Sequence, residues 1–258
     1  MSLFHRKKNP TQPAPSPVLA AAPMPELPEW LEGLEFDRSR WFQVFSLFLC
    51  RMQVVQNRFT ELVKDASDWH VDFRRGILQL GSREFPIQFL GSESSVSNSW
   101  LWAWKNVNNF PEDLLLLARQ TKAIGEAWKL DPLVFEQFEL DQVHNGMRLS
   151  VAACGLAGNY AYYRCPHANG AAFVGVYGLP EELFAPAAPK EFLGAAVECL
   201  DNFHFDHKLF VEAFLRWNQT PFKWEGLTLK ARFPQEVSIE FEQAEGFLRI
   251  KGLHAEKL

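Results

Sequence analysis

The chain has 258 residues and a formal net charge of −5, with 26 Lys and Arg against 31 Asp and Glu. That length buries a sizeable core in one large or two modest domains, and the acidic balance offers no field to draw in a polyanion, so nucleic acid is not an expected partner. Hydrophobic and charged contents are ordinary, but 23 Phe and 9 Trp mean that the core, or a groove, is built largely from rings.

The one dense basic patch, HRKK at His5 to Lys8, reads as a solubilising tail, and Ser2 stands where myristoylation needs Gly. NPTQPAPSP follows it and cannot supply the apolar centre of a secretory signal. Pro10, Pro13, Pro15, Pro17, Pro23, Pro25 and Pro28 then remove backbone donors over a segment with little to bury. Residues 1–28 are therefore expected to be a disordered, proline-rich tail. Folding should begin near Trp30.

Periodicity predicts a long helix from about Asp37 to Lys64. Trp41, Phe45, Phe48, Met52, Val55, Phe59 and Leu62 alternate in steps of four and three, placing them on one stripe. Phe42, Val44 and Leu49 widen it, so the first half should lie deeper. WFQVFSLFLC is interrupted by Gln43, followed by Arg51, and too short to span a bilayer.

Strand signals follow: Trp69, Val71 and Phe73 in alternation, GILQL, a turn at Gly81-Ser82, FPIQFL, a polar loop GSESSVS, and SNSWLWAWKN. Links this short favour an antiparallel meander. Pro111, Glu112 and Asp113 open a helix running to about Trp128. A further helix is expected from about Asp141 to Leu156, ended at Gly158-Asn159. YAYYR and AAFVGVY read as two more strands, and the Pro/Ala-rich stretch from Pro180 to Pro189 as a linker or long loop. Helices around Phe192 to Leu200 and Asp206 to Trp217 precede three alternating stretches, FKWEGLTLKARF, VSIEFEQ and FLRIKGL. The whole is α+β: a mostly antiparallel sheet packed by a long N-terminal helix and further helices. Residues 29–180 form the tryptophan-bearing domain. Residues 181–258 are a helix and β-hairpin region that extends the same sheet or forms a small lobe.

In an extended strand Trp100, Trp102 and Trp104 share one face, with Leu101 and Ala103 behind them. They are either the core face of the sheet, covered by the long helix, or the aromatic wall of a groove for a ring, a sugar or a peptide. In a groove, Asn98, Lys105 and Asn106 at the strand ends would supply the polar contacts. The stretch FLGSESSVSNSWLWAWKN also resembles an uncharacterised bacterial family of domains of unknown function. That family carries an LG, a short polar loop and W-L-W-A-W-A-N, matched here by Leu90-Gly91, Trp100 to Trp104 and Asn106. Lys105 departs from the small residue of the pattern. The resemblance extends from about Asp68 to Tyr177 and implies a bacterial origin and an α+β fold, with no activity to carry over.

Catalytic signatures are absent: no G-x-S-x-G, no phosphate-cradling glycine loop, no Cys in an activating context. His204, Asp206 and His207 bring two ligand types within four residues, but Asp206 reads as the cap of the next helix. Cys165 with His167 lacks spaced partners, and Asp141 with His144 suits a surface hydrogen bond. Cys50, Cys154, Cys165 and Cys199 are widely spaced, the usage of a reducing compartment. The sequence thus points to a cytoplasmic binding or protein-interaction module with no cofactor, metal or membrane partner. It would take a protein partner or a small aromatic or sugar ligand on an aromatic-lined surface. The alternative is an enzyme whose His and carboxylate residues only the fold brings together.

Overall fold

The computed structural model describes residues 28–255, so the expected tail lies outside the described residues except for Pro28. The first long helix, α1 (Trp41–Leu62), starts four positions later than periodicity suggests. The Asp37 carboxylate accepts the Ser39 N–H at 2.9 Å and its hydroxyl at 2.6 Å, which closes a turn that ends the non-helical approach. Six of the seven stripe residues are buried and Leu62 is half-buried; every residue from Val44 to Met52 is buried as well. One stripe is thus too modest a description. Helices α3 (Gly146–Ala157), α4 (Pro189–Asn202) and α5 (His207–Trp217) all pack against α1, making it the central rod of the molecule.

The strands divide into two antiparallel sheets. In the larger, β1 (Trp69–Asp72), β2 (Ile77–Leu80) and β3 (Arg83–Ser94) form the expected meander, and β3 continues through what reads as a polar loop. Gly91 to Ser94 are held extended because β4 (Ser99–Trp102) and β7 (Gly170–Val176) pair along both edges of that stretch. β6 (Ala161–His167) pairs with β7, and a short strand not foreseen in the sequence, β5 (Gln137–Glu139), pairs with β4. Helix α2 (Leu116–Trp128) packs on β3, and α3 packs on β3, β6 and β7. α1 meets this sheet at β6, with Phe59 also touching Phe85 of β3, while the turn that follows the tryptophan strand packs on α2.

Helix α3 begins at Gly146 rather than near Asp141. The Asp141 carboxylate accepts the backbone N–H groups of Val143 and His144, forming a turn, and Asn145 then caps the helix by accepting the Arg148 N–H. The Pro/Ala stretch is no free linker. Arg58 donates to the carbonyl oxygens of Glu182, Leu183 and Ala185 and pairs with Glu191 at 2.8 Å, strapping the segment onto α1. The C-terminal strands β8 (Phe222–Glu225), β9 (Thr228–Arg232), β10 (Glu236–Ala244) and β11 (Phe247–Ala255) form a second sheet of their own. Val237, Ile239 and Phe241 are its buried face, as the alternation predicts, and α5 packs on β11. Buried side chains from both sheets and all five helices form one connected core.

Candidate functional site

The residues that the sequence singles out divide sharply by burial. Trp100, Trp102 and Trp104 are 0%, 1% and 9% exposed, so no indole face is free to line a groove. Alternation holds only as far as Trp102. Trp104 sits on a short 3-10 turn, Ala103–Lys105, because Asn106 adopts a left-handed conformation and turns the chain. The rings nonetheless remain together: Trp102 stacks on Trp104 with centroids 4.5 Å apart, and Trp100 meets Trp102 and Phe173 edge-on. The three indoles form a core pillar, the first of the two roles open to them.

The polar residues at the strand ends tie loops down. Asn98 donates to the Leu140 carbonyl at 3.1 Å, and Lys105 pairs with Glu136 at 2.7 Å. Asn106 both accepts from the Phe110 N–H and donates to the Phe110 carbonyl.

An aromatic-lined cleft of about 330 Å³ lies elsewhere, where three distant segments meet. Arg40, Phe42 and Gln43 come from the start of α1; Phe247 and Arg249 from the start of β11; and His204 to His207 from the connector between α4 and α5. Phe42 is 5.1 Å from the His204 ring and 6.4 Å from Phe247, while His207 stacks on Phe205 at 4.7 Å. Phe247 is 56% exposed at the tip of the hairpin. The connector is anchored on both sides. The Asp206 N–H donates to Ser46 Oγ on α1 at 2.8 Å, and the Asp206 carboxylate caps α5 by accepting the Leu209 N–H. Asp206 is therefore the expected cap of α5.

His207 is fixed in detail. Its Nδ1 accepts the Ile250 N–H at 3.0 Å, which leaves the proton of the neutral ring on Nε2. Burial, reinforced by the Arg249 guanidinium, lowers its pKa below the ordinary 6.5, so the ring stays neutral at physiological pH. Arg249 is itself paired with Glu245 at 2.8 Å, whereas Arg40 has no ion-pair partner among the described residues. The cleft thus offers ring faces, one oriented N–H donor and one uncommitted cation.

The remaining histidines and cysteines carry less. His144 Nδ1 lies 3.0 Å from Asp141 Oδ2, beside a shallow hollow lined by Trp41, Phe135 and Phe138. His167 is exposed and accepts the Asn169 N–H. All four thiols are free and buried; burial pushes Cys165 up to about 12, so it holds no thiolate at neutral pH. Among the described residues no three His, Cys, Asp or Glu side chains are placed to hold a metal. No described helix is long and apolar enough to cross a membrane.

Sequence reasoning missed Phe42, Phe247, Arg40 and Arg249 as a unit, since nothing local links residues 40, 204 and 247. One signal was present. Phe42 stands off the main stripe of α1, and it is half-buried where Phe45 and Phe48 are fully buried.

A family model, DUF6882, described as a family of unknown function, matches residues 47–179. The match starts inside α1 and ends just after β7, so the cleft falls outside it. No curated protein and no solved structure matches the chain.

Proposed function

The chain belongs to the DUF6882 family of unknown function, and we propose that it is a cytoplasmic, non-catalytic binding module that takes a small ring-bearing ligand in the cleft between Phe42 and Phe247. The observation that carries this reading is the exposed Phe247 ring, held at a hairpin tip over a preformed aromatic hollow of ligand size. An exposed Phe loses water at little ordering cost when a planar ring or sugar face slides beneath it. The Nε2–H of His207 and the Arg40 guanidinium supply direction, which suits an aromatic or sugar compound bearing an acceptor. A protein partner would engage the same place by inserting one aromatic side chain.

The experiment is a thermal-shift screen of aromatic and sugar metabolites on wild-type protein and on Phe247→Ala, which lies on the surface and should fold normally. A ligand of this cleft raises the wild-type Tm by several degrees and leaves the variant unmoved. If every stabilising compound acts equally on both, the cleft is not the site.

An enzymatic reading draws on one pair, His144 and Asp141, which has the geometry of a base and its orienting acid. The hydroxyl lining the same hollow, Ser39, is bonded to Asp37 at 2.6 Å and committed there. Turnover of any screened compound that disappears in His144→Ala would replace the binding reading with this one.

A further inference from the structure

At the end of α4, Asn202 and Phe203 line a second concavity, of about 680 Å³, whose chemistry differs from that of the aromatic cleft. Two arginines border it. The Arg148 guanidinium lies 4.9 Å from the Phe45 ring centre and 5.1 Å from that of Phe203. Flanking rings position it, as cation–π contacts do, and its N–H groups donate to no protein acceptor among the described residues. Neither Arg148 nor Arg164 has a carboxylate within ion-pair distance among the described residues. Two carboxylates lie close by without pairing with either arginine: Glu93, which also lines the concavity, accepts the Gly146 N–H at 2.6 Å, and Asp141 closes the turn before α3.

Carboxamides complete the lining, and several have capacity to spare. Gln53 and Asn202 use their NH₂ groups on Glu198 and leave their oxygens as free acceptors, while Asn145 uses its oxygen as the helix cap and leaves its NH₂. Gln142 makes no side-chain hydrogen bond among the described residues. Asp141 lies near enough to favour the Arg148 charge without pairing with it, so the planar guanidinium keeps its N–H fork for an oxyanion held in two parallel hydrogen bonds. Carboxamides that both donate and accept match hydroxyls.

We propose that this concavity binds a small polyhydroxylated oxyanion, a phosphorylated or carboxylated sugar, with Arg148 and Arg164 on the charged group and the carboxamides on its hydroxyls. Most of its lining falls within the family-matched segment, unlike the aromatic cleft, and the proposal does not depend on the ligand of that cleft.

Isothermal titration of the full chain at low salt tests it with glucose 6-phosphate, glucuronate and uncharged glucose. Saturable 1:1 binding of the phosphate or of the carboxylate, with none of glucose, is expected, and the arm that binds tells which oxyanion is preferred. Arg148→Lys keeps the charge but loses the planar fork, and should weaken binding at least about tenfold. Because Arg148 touches two rings, Arg164→Gln, at an exposed position of β6, serves as the variant that leaves packing alone, with a similar loss expected. No saturable binding of either anion, or binding that survives Arg164→Gln unchanged, overturns the proposal.

Discussion

Trp100 and Trp102 occupy equally buried positions but differ in one donor. Trp102 Nε1 gives a hydrogen bond to the Pro132 carbonyl at 3.0 Å, whereas Trp100 Nε1 has no partner among the described residues. Replacing either by Phe removes similar ring area, yet only Trp102→Phe strands an acceptor, while Trp100→Phe relieves a donor already unsatisfied. Trp102→Phe should therefore be more destabilising than Trp100→Phe by about 1–3 kcal/mol; equal urea midpoints would show that the Pro132 contact contributes nothing. Gly91 is the partner in this packing. A Cβ there would lie 2.4 Å from Trp100 Cζ2 and 2.6 Å from the Leu101 carbonyl oxygen. Gly91→Ala is expected to lose about 1–3 kcal/mol or more through overpacking against ring and backbone together, seen as a lowered midpoint with an unchanged slope. At this scale the sequence was largely legible. Spacing by two put Trp100 and Trp102 on one strand face, but the turn that carries Trp104 and the burial of all three rings followed from packing that spacing does not encode.

Among the elements, α1 holds its neighbours through one buried cation. Arg51 is 4% exposed, donates to the carbonyls of Gly155 at 3.2 Å and Gly158 at 2.6 Å, and lies over Trp217. Those carbonyls are the negative end of α3, which serves in place of a counter-ion. Burial lowers the Arg51 pKa to about 10, still well above neutrality. Arg51→Ala strands the carbonyls and opens a cavity, and should cost about 3–5 kcal/mol; Arg51→Met refills the space and should cost less. A Met variant as unstable as the Ala variant would place the whole effect on the hydrogen bonds. The α5–β11 junction responds to pH. The folded pKa of His207 is depressed, so its contribution is complete above the unfolded value of 6.5 and is lost as pH falls toward the folded value. Protonation of Nδ1 ejects the Ile250 N–H, with Arg249 and His204 opposing the new charge and Asp206 favouring it. Stability should fall on acidification below about pH 6.5, and His207→Asn, which keeps an acceptor and cannot titrate, should flatten that part of the profile. An unchanged profile in the variant would remove His207 from the response.

For the whole molecule, the α+β class and most strand and helix positions were readable because each rests on a local period. The second sheet was not: alternation in residues 222–255 specifies a half-buried strand whichever sheet it joins. Both concavities escaped for a related reason, since each is assembled from segments far apart in the chain, Phe42 with His204 and Phe247 in one and Gln53 with Glu93, Arg148, Arg164 and Asn202 in the other, and only one part of each set, His204 with His207 or Asn145 with Arg148, is contiguous. The strap over α1 shows what such distant packing leaves open to change. Arg58 grips main-chain oxygens, which every amino acid carries, so substitutions along residues 182–186 leave its hold intact. A single insertion or deletion there displaces the oxygens themselves. Its exposed positions, Glu182, Ala185 and Pro186, are therefore free to drift in identity while the length is frozen and Leu183 stays in the core, and a one-residue deletion should release the segment where alanine at those exposed positions would not.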